Sequence, residues 1–274
     1  MQKLGQHFLR NDGVVIKILA ALDLQEDDVV LEIGPGNGEL TIPLARACEE
    51  KNCRLVAIEK DEKLADALTV TLTSNVALTN VKIIKGDVLK TLSEAIAQAR
   101  VDADGKVAAK RTRYKIVGNL PYYITGKLLR IISELEDKPE RCVFMVQEEV
   151  AERICAEPPQ MNRLAASVQF WAETKTVVLV PRKDFSPPPN VDSAVIALTT
   201  KPAEMSLGGE QYYRAVRAVF AQPRKTLLNN IVDASDKISK TEAGSLLESI
   251  GIPAGVRPQN LSIDQIAMIA GLFF

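Results

Sequence analysis

Val29-Val-Leu-Glu-Ile33, running without interruption into Gly34-Pro-Gly-Asn-Gly38, is the stretch that decides the fold. A short apolar run, closed by glycines and followed by a helical pattern from Glu39 to about Glu50, reads as strand, tight loop and helix. Glycines let the backbone come close to a ligand, and the helix start beyond them offers unpaired N–H groups. A nucleotide-binding α/β sheet begins in this way. The spacing is G-x-G-x-G and not the G-x-G-x-x-G that cradles a dinucleotide pyrophosphate, so the loop alone leaves the cofactor open.

Working outward, Arg54-Leu-Val-Ala-Ile-Glu59 is a second strand ending in a carboxylate roughly 20 residues beyond the loop, where an acid accepts both ribose hydroxyls. After a helix from about Glu62 to Thr73, the strand Val81-Lys-Ile-Ile84 ends at Gly86-Asp87. A Gly-Asp pair by itself is a turn. As the third strand end in succession, Asp87 reads as an acceptor for a base edge of the same ligand, because open α/β sheets bind ligands along that rim.

The fourth strand end is Lys115-Ile-Val-Gly-Asn-Leu-Pro-Tyr-Tyr-Ile124. Ile116-Val117 reads as a buried strand, and Asn119 follows it with an acceptor oxygen. Pro121 fixes its own φ and pushes Leu120 towards an extended conformation, which turns the Leu120 carbonyl outward beside the Asn119 side chain. Tyr122 adds a flat aromatic face. Two neighbouring acceptors suit an exocyclic NH2 group; taken alone, the string is equally a tight turn with an incidental Asn.

The remaining stretches carry weaker signals. The lead-in Gln2–Leu9 has no periodicity and holds the chain's single histidine, His7, before Asn11 or Asp12 caps a helix with Val14, Val15, Ile18, Leu19 and Leu22 on its apolar face. The polar segment Val101–Arg113 carries a basic cluster of Lys110, Arg111, Arg113 and Lys115, readable as a solvated face or as a phosphate contact. Arg141–Val146 is a fifth strand, leading to a helix near Gln147. A strand from Thr176 to Val180 and another from Ala194 to Leu198 flank the proline-rich Phe185-Ser-Pro-Pro-Pro-Asn-Val-Asp-Ser193. That connector is too proline-rich to pair centrally, and Phe185 either stacks on a base or anchors the loop. Composition breaks between Lys201 and Gly209. Beyond it the helical runs are Tyr212–Phe220, Lys225–Val232, Thr241–Ile250 with Thr241 as cap, and Ser262–Leu272, so the domains are expected at 1–201 and 202–274. Arg214, Arg217, Arg224 and Lys225 give the helical domain a basic face.

Composition bounds the function. An apolar fraction of 46% with 25% charged residues is that of a globular protein; the absence of any long apolar window points to the cytoplasm. Cys48, Cys53, Cys142 and Cys155 lack a C-x-x-C spacing, and one histidine adds little to a zinc site, so free thiols and no metal are expected. A net charge of −1 argues weakly against a nucleic-acid partner, though a local basic patch suffices.

Taken in order, these motifs resemble the ribosomal RNA adenine N6,N6-dimethyltransferases, the KsgA-type enzymes of small-subunit maturation. The resemblance spans nearly the whole chain and is carried by Gly5–Leu9, Glu32–Gly38, Glu59, Gly86-Asp87, Asn119–Tyr122, Phe185–Ser193 and Phe220-Ala-Gln-Pro-Arg-Lys-Thr226. It departs from the common family pattern at His7, Tyr123, Pro223 and Leu228.

The resemblance implies a Rossmann-like class I methyltransferase sheet with a small all-α C-terminal domain. It implies S-adenosyl-L-methionine as cofactor, contacted by His7, Leu9, Gly34, Gly36, Glu59, Asp87 and Asn119. The target amine falls to Asn119, Leu120, Pro121, Tyr122 and Phe185, and RNA contact to Lys110, Arg111, Arg113, Arg224 and Lys225. The expected substrate is the N6 of two adjacent adenosines in the 3′-terminal hairpin of small-subunit RNA, met in the immature 30S particle by a monomer. The rivals are an Erm-type enzyme of large-subunit RNA, a non-catalytic RNA-binding assembly factor on the same fold, and an NAD-dependent oxidoreductase; the last is disfavoured by the glycine spacing.

Overall fold

A computed structural model describes residues 7–74, 78, 80–100, 113–121, 123–202, 208–235 and 238–274. In chain order it runs β1 (Phe8–Leu9), α1 (Asp12–Leu22), β2 (Val29–Ile33), α2 (Thr41–Glu50), β3 (Arg54–Glu59), α3 (Glu62–Thr73), β4 (Val81–Lys85), α4 (Val88–Ala99), β5 (Tyr114–Asn119), α5 (Thr125–Glu134), β6 (Arg141–Gln147) and α6 (Glu148–Ile154). Then follow α7 (Arg163–Gln169), β7 (Ala172–Val180), β8 (Phe185–Ser186), β9 (Ser193–Thr200), α8 (Gly209–Val219), α9 (Leu227–Asp233), α10 (Lys240–Ser249) and α11 (Ile263–Phe273). Two units form: Met1–Ala151 with Thr174–Thr200, and Glu152–Glu173 with Lys201–Phe274.

The seven-stranded sheet has the order β4-β3-β2-β5-β6-β9-β7. Strands β2 to β6 pair in parallel, and β9 returns antiparallel along β6. All of Val29–Ile33 is buried, as expected of a parallel strand covered on both faces. The order reverses between β2 and β5, the switch point where such sheets bind ligands. There the register sets Ile33 against Gly118, so Gly34 and Asn119 leave the sheet side by side. Gly118 permits that approach, because a Cβ on it would lie 2.6 Å from the Ile33 carbonyl oxygen.

Caps mark where the helices start. Asn11 accepts from the Val14 N–H, Asp61 from Lys63 and Leu64, and Asp87 from Leu89. The cap of α10 is Ser239, accepting from Glu242, and not Thr241, which lies inside the helix. The sequence reading also passes over α5 and α7. Residues Glu152–Glu173 group with the helical unit and not with the sheet unit, where the 201 boundary puts them. Phe170 stacks on Tyr212 at 3.8 Å between ring centroids, and the Tyr212 hydroxyl donates to the Ala166 carbonyl, which ties this segment to the helical unit. The composition break at Lys201 marks only one of the crossings.

Lys115 corrects the basic-loop reading. Alternation along β5 turns it into the protein, where it is wholly buried; its Nζ pairs with Asp28 Oδ2 at 2.8 Å and also donates to the Asp23 carbonyl. Removing one partner of a buried pair strands the other charge, at about 3–5 kcal/mol. Lys115→Met should lower the stability of the sheet unit by that amount in urea unfolding followed by circular dichroism. Lys115→Met with Asp28→Asn should recover part of the loss.

Candidate active site

The tips of β2, β3, β4 and β5 open onto a cavity of about 430 Å³ lined by Gly34, Gly36, Glu59, Asp87, Asn119 and Leu120, with His7, Phe8 and Phe185 also on its wall. The glycine loop presents backbone there. Gly36 has φ +58°, and a Cβ on it would touch the Phe8 ring at 3.0 Å. Its N–H donates to Glu59 Oε2 at 3.1 Å, while Glu59 Oε1 accepts from the Asp61 N–H at 2.8 Å. Each carboxylate oxygen keeps a lone pair for a further donor.

Asp87 caps α4 through Oδ1, which accepts from the Leu89 N–H at 3.1 Å, and its Oδ2 pairs with Lys60 Nζ at 3.0 Å. Partial burial would raise its pKa, but the Lys60 ammonium and the Leu89 N–H outweigh that and hold the carboxyl below its ordinary range.

At the β5 tip the Asn119 amide nitrogen donates to the His7 carbonyl oxygen at 3.1 Å. A carbonyl can only accept, so that contact fixes the orientation of the amide and leaves its oxygen as acceptor on the opposite side. The Leu120 N–H is taken by the Met145 carbonyl at 3.0 Å, so the Leu120 carbonyl is the group left to meet a ligand. His7 Nδ1 in turn lies 2.8 Å from the Pro187 carbonyl, which requires the proton on Nδ1. Phe8 and Leu9 pair with Ser186 and Phe185 as a two-stranded antiparallel ribbon that the sequence, lacking periodicity there, does not signal. Phe185 is 5% exposed, so it packs into the core while its ring lines the cavity.

Of the other residues singled out in the sequence, Lys110, Arg111 and Tyr122 lie outside the described residues. Arg113 is exposed, with its Nε 3.6 Å from Glu140 and 4.0 Å from Asp28, and Lys225 pairs with Asp233 at 3.0 Å. Among the described residues no disulfide forms, and Cys48, Cys53 and Cys142 are buried. Among the described residues no cluster of His, Cys, Asp or Glu could hold a metal ion, and no helix is long and apolar enough to cross a membrane.

Two cavity residues escaped the sequence reading as participants, Glu32 and Lys60. The signal for Glu32 is an acid within an otherwise apolar buried strand. It is 1% exposed, and burial, aided by the nearby Glu59 and Glu39 charges and only partly opposed by the Thr41 hydroxyl, lifts its pKa from 4.5 to about 8.

A parallel sheet closed by one reversed strand, with its glycine loop and strand-tip acids facing one cavity, defines a Rossmann-like class I methyltransferase, which takes its methyl group from S-adenosylmethionine. The side chains suit that cofactor: the loop leaves room for nothing bulkier than glycine at Gly36, and the acids at the strand tips match a ligand that brings hydroxyls, an amine and a sulfonium charge. The chain belongs to the ribosomal RNA adenine dimethylase family, whose profile matches residues 1–273.

Relatives named "Ribosomal RNA small subunit methyltransferase A" include one from Dehalococcoides mccartyi, 38% identical over 97% of this chain and 86% of its own length. Another, from Bacillus pumilus, is 33% identical over 99% of this chain and 90% of its own. Among solved structures, a dimethyladenosine transferase from Plasmodium falciparum superposes with a TM-score of 0.76 over 98% of this chain and 100% of its own, at 23% identity. The 23S rRNA methyltransferase ErmE gives 0.72 over 97% and 99%, also at 23% identity, so it shares the fold.

Glu32 gives a pH signature. Its pKa is raised on folding, so the native state gains from the protonated carboxyl, fully so below pH about 4.5 and progressively less as pH rises towards 8. Melting temperature relative to Glu32→Gln should therefore fall between those limits; a difference independent of pH would mean that the carboxyl is ionised throughout.

Proposed function

We propose that this protein dimethylates the N6 of two adjacent adenosines in the 3′-terminal hairpin of small-subunit ribosomal RNA during particle maturation. On this reading it works as a cytoplasmic monomer on the immature 30S particle. The observation that carries it is the Asn119 amide, oriented by the His7 carbonyl beside the Leu120 carbonyl at the switch point of the sheet.

The cofactor supplies an electrophilic methyl group on a sulfonium sulfur. The N6 lone pair of adenine is delocalised into the ring, so the amine attacks poorly in its planar form. Asn119 Oδ1 and the Leu120 oxygen accept its two N–H bonds, which favours a pyramidal nitrogen and aims its lone pair across the cavity. With the cofactor bound, these two acceptors would hold the nitrogen in line with the methyl group that the sulfonium would give up, the sulfur keeping the electron pair, and the methylated nitrogen would shed one proton to water, with no side-chain base required. A monomethylated amine has one N–H left, so the second transfer is held by one of the two acceptors.

Pro121 stiffens the turn, Tyr122 stacks on one face of the flipped base and Phe185 bounds the other, such stacking being worth about 1–3 kcal/mol per base. Glu59 accepts from the ribose of the cofactor and Asp87 from its adenine. His7, Leu9, Gly34 and Gly36 wall the methionine end. Lys110, Arg111, Arg113, Arg224 and Lys225 contact phosphates.

Asn119→Ala should bind S-adenosylhomocysteine with near-normal affinity while methyl transfer falls about 10²–10³-fold. Retained turnover would remove Asn119 from its role. Tritiated methyl transfer should label unmethylated small subunits and not large ones; label on large subunits favours the Erm-type reading, and no label a non-catalytic factor. Replacing Lys110, Arg111 and Arg113 together by Gln should flatten the salt dependence of RNA binding by about two to three counterions.

A further inference from the structure

Asp87, on the reading that it takes the cofactor's adenine amine, is already occupied. Its Oδ1 holds the Leu89 N–H, and its Oδ2 holds Lys60 Nζ at 3.0 Å. Lys60 is the only lysine or arginine among the described residues lining the cavity. An ammonium is a donor only, and so is the 6-amino group of adenine towards a carboxylate. Oδ2 keeps a lone pair for a second donor, but a donor arriving there meets a cation that already draws on the oxygen's negative charge.

We propose that Lys60 is a specificity-determining residue of the adenine end of the cofactor pocket: it is paired with Asp87 in the free protein and competes with the cofactor's 6-amino group for the charge on Oδ2. The inference rests on the proposed role of Asp87 and adds to it a competitor that sets affinity and base preference.

The backbone keeps Lys60 in place while its side chain is able to move. It follows Glu59 directly, and that carboxylate is tied to the Gly36 and Asp61 N–H groups on either side. The Lys60 side chain is 52% exposed and that of Asp87 26%, so a released ammonium returns to water at little cost. Ion pairs of this exposure are weak and screened by salt. The competition should therefore appear as a factor of about two to five in cofactor affinity, largest at low salt. It also bears on base preference. A 6-oxo purine presents an acceptor where adenine presents donors; Asp87 repels it, whereas Lys60 donates to it, so Lys60 softens the discrimination against it.

The test is calorimetric titration of S-adenosylhomocysteine and S-inosylhomocysteine into the full-length protein, Lys60→Met and Asp87→Asn, at about 20 and 300 mM NaCl. Neither ligand can turn over, and Asn preserves the helix cap. Lys60→Met should bind the adenosyl ligand about two- to five-fold more tightly at low salt, with the advantage shrinking as salt rises, and should bind the inosyl ligand more weakly. Asp87→Asn should bind the adenosyl ligand about three- to ten-fold more weakly. If Asp87→Asn leaves that affinity unchanged, the adenine role of Asp87 fails and the proposal falls with it. If Asp87→Asn weakens binding but Lys60→Met is unchanged or weaker, Asp87 keeps its role and Lys60 is no competitor.

Discussion

The hydrogen bonds of one carboxylate hold the cofactor rim together. Glu59, 6% exposed at the tip of β3, accepts from the Gly36 N–H on one side and the Asp61 N–H on the other. The first bond clamps the glycine loop of β2 against its neighbouring strand. The second fixes the turn into α3, whose own cap is the Asp61 side chain. A loop rich in glycine would otherwise carry a large conformational entropy, and backbone N–H groups pinned by a buried acid are already arranged before any ligand arrives. An acid that lines the cavity is thus also the one that shapes the loop.

A second set of contacts does the same at the β5 tip. The chain at His7 bridges two distant segments: its carbonyl takes the Asn119 amide and its ring takes the Pro187 carbonyl. Next to it, Phe8 and Leu9 pair with Ser186 and Phe185. The proline-rich connector has few backbone donors to offer a sheet, and a two-residue ribbon with the N-terminal lead-in satisfies what a central strand could not. Phe8 also fills the space over Gly36 that a Cβ would take. Lead-in, glycine loop, β5 tip and connector therefore order one another.

Much of this was legible in the sequence because the signals are local. The strand-loop-helix at Val29–Gly38 and the acids at Glu59 and Asp87 depend on periodicity and punctuation that a short window contains. What stayed hidden depends on pairing across the chain. His7 has no local feature that foretells an amide 112 residues away. Lys115 looks solvated beside Arg113 until the register of β5 turns it inward onto Asp28. Residues 163–169 carry an ordinary helical pattern, and it is the stacking of Phe170 on Tyr212 and the bond from the Tyr212 hydroxyl to the Ala166 carbonyl that show to which unit they belong.

The acids around the cavity are not equivalent, and the difference bears on how a cationic ligand is held. Glu59 accepts two backbone N–H bonds, and Asp87 has both an ammonium and an N–H, which hold its carboxyl below the ordinary range. Glu32, by contrast, has an oxygen with no hydrogen-bond partner and a pKa near 8, so at neutral pH it is largely uncharged. Glu59 and Asp87 at the tips of β3 and β4, with Glu39 just beyond the glycine loop, give the cavity its acidic character, while burial keeps Glu32 from adding to it.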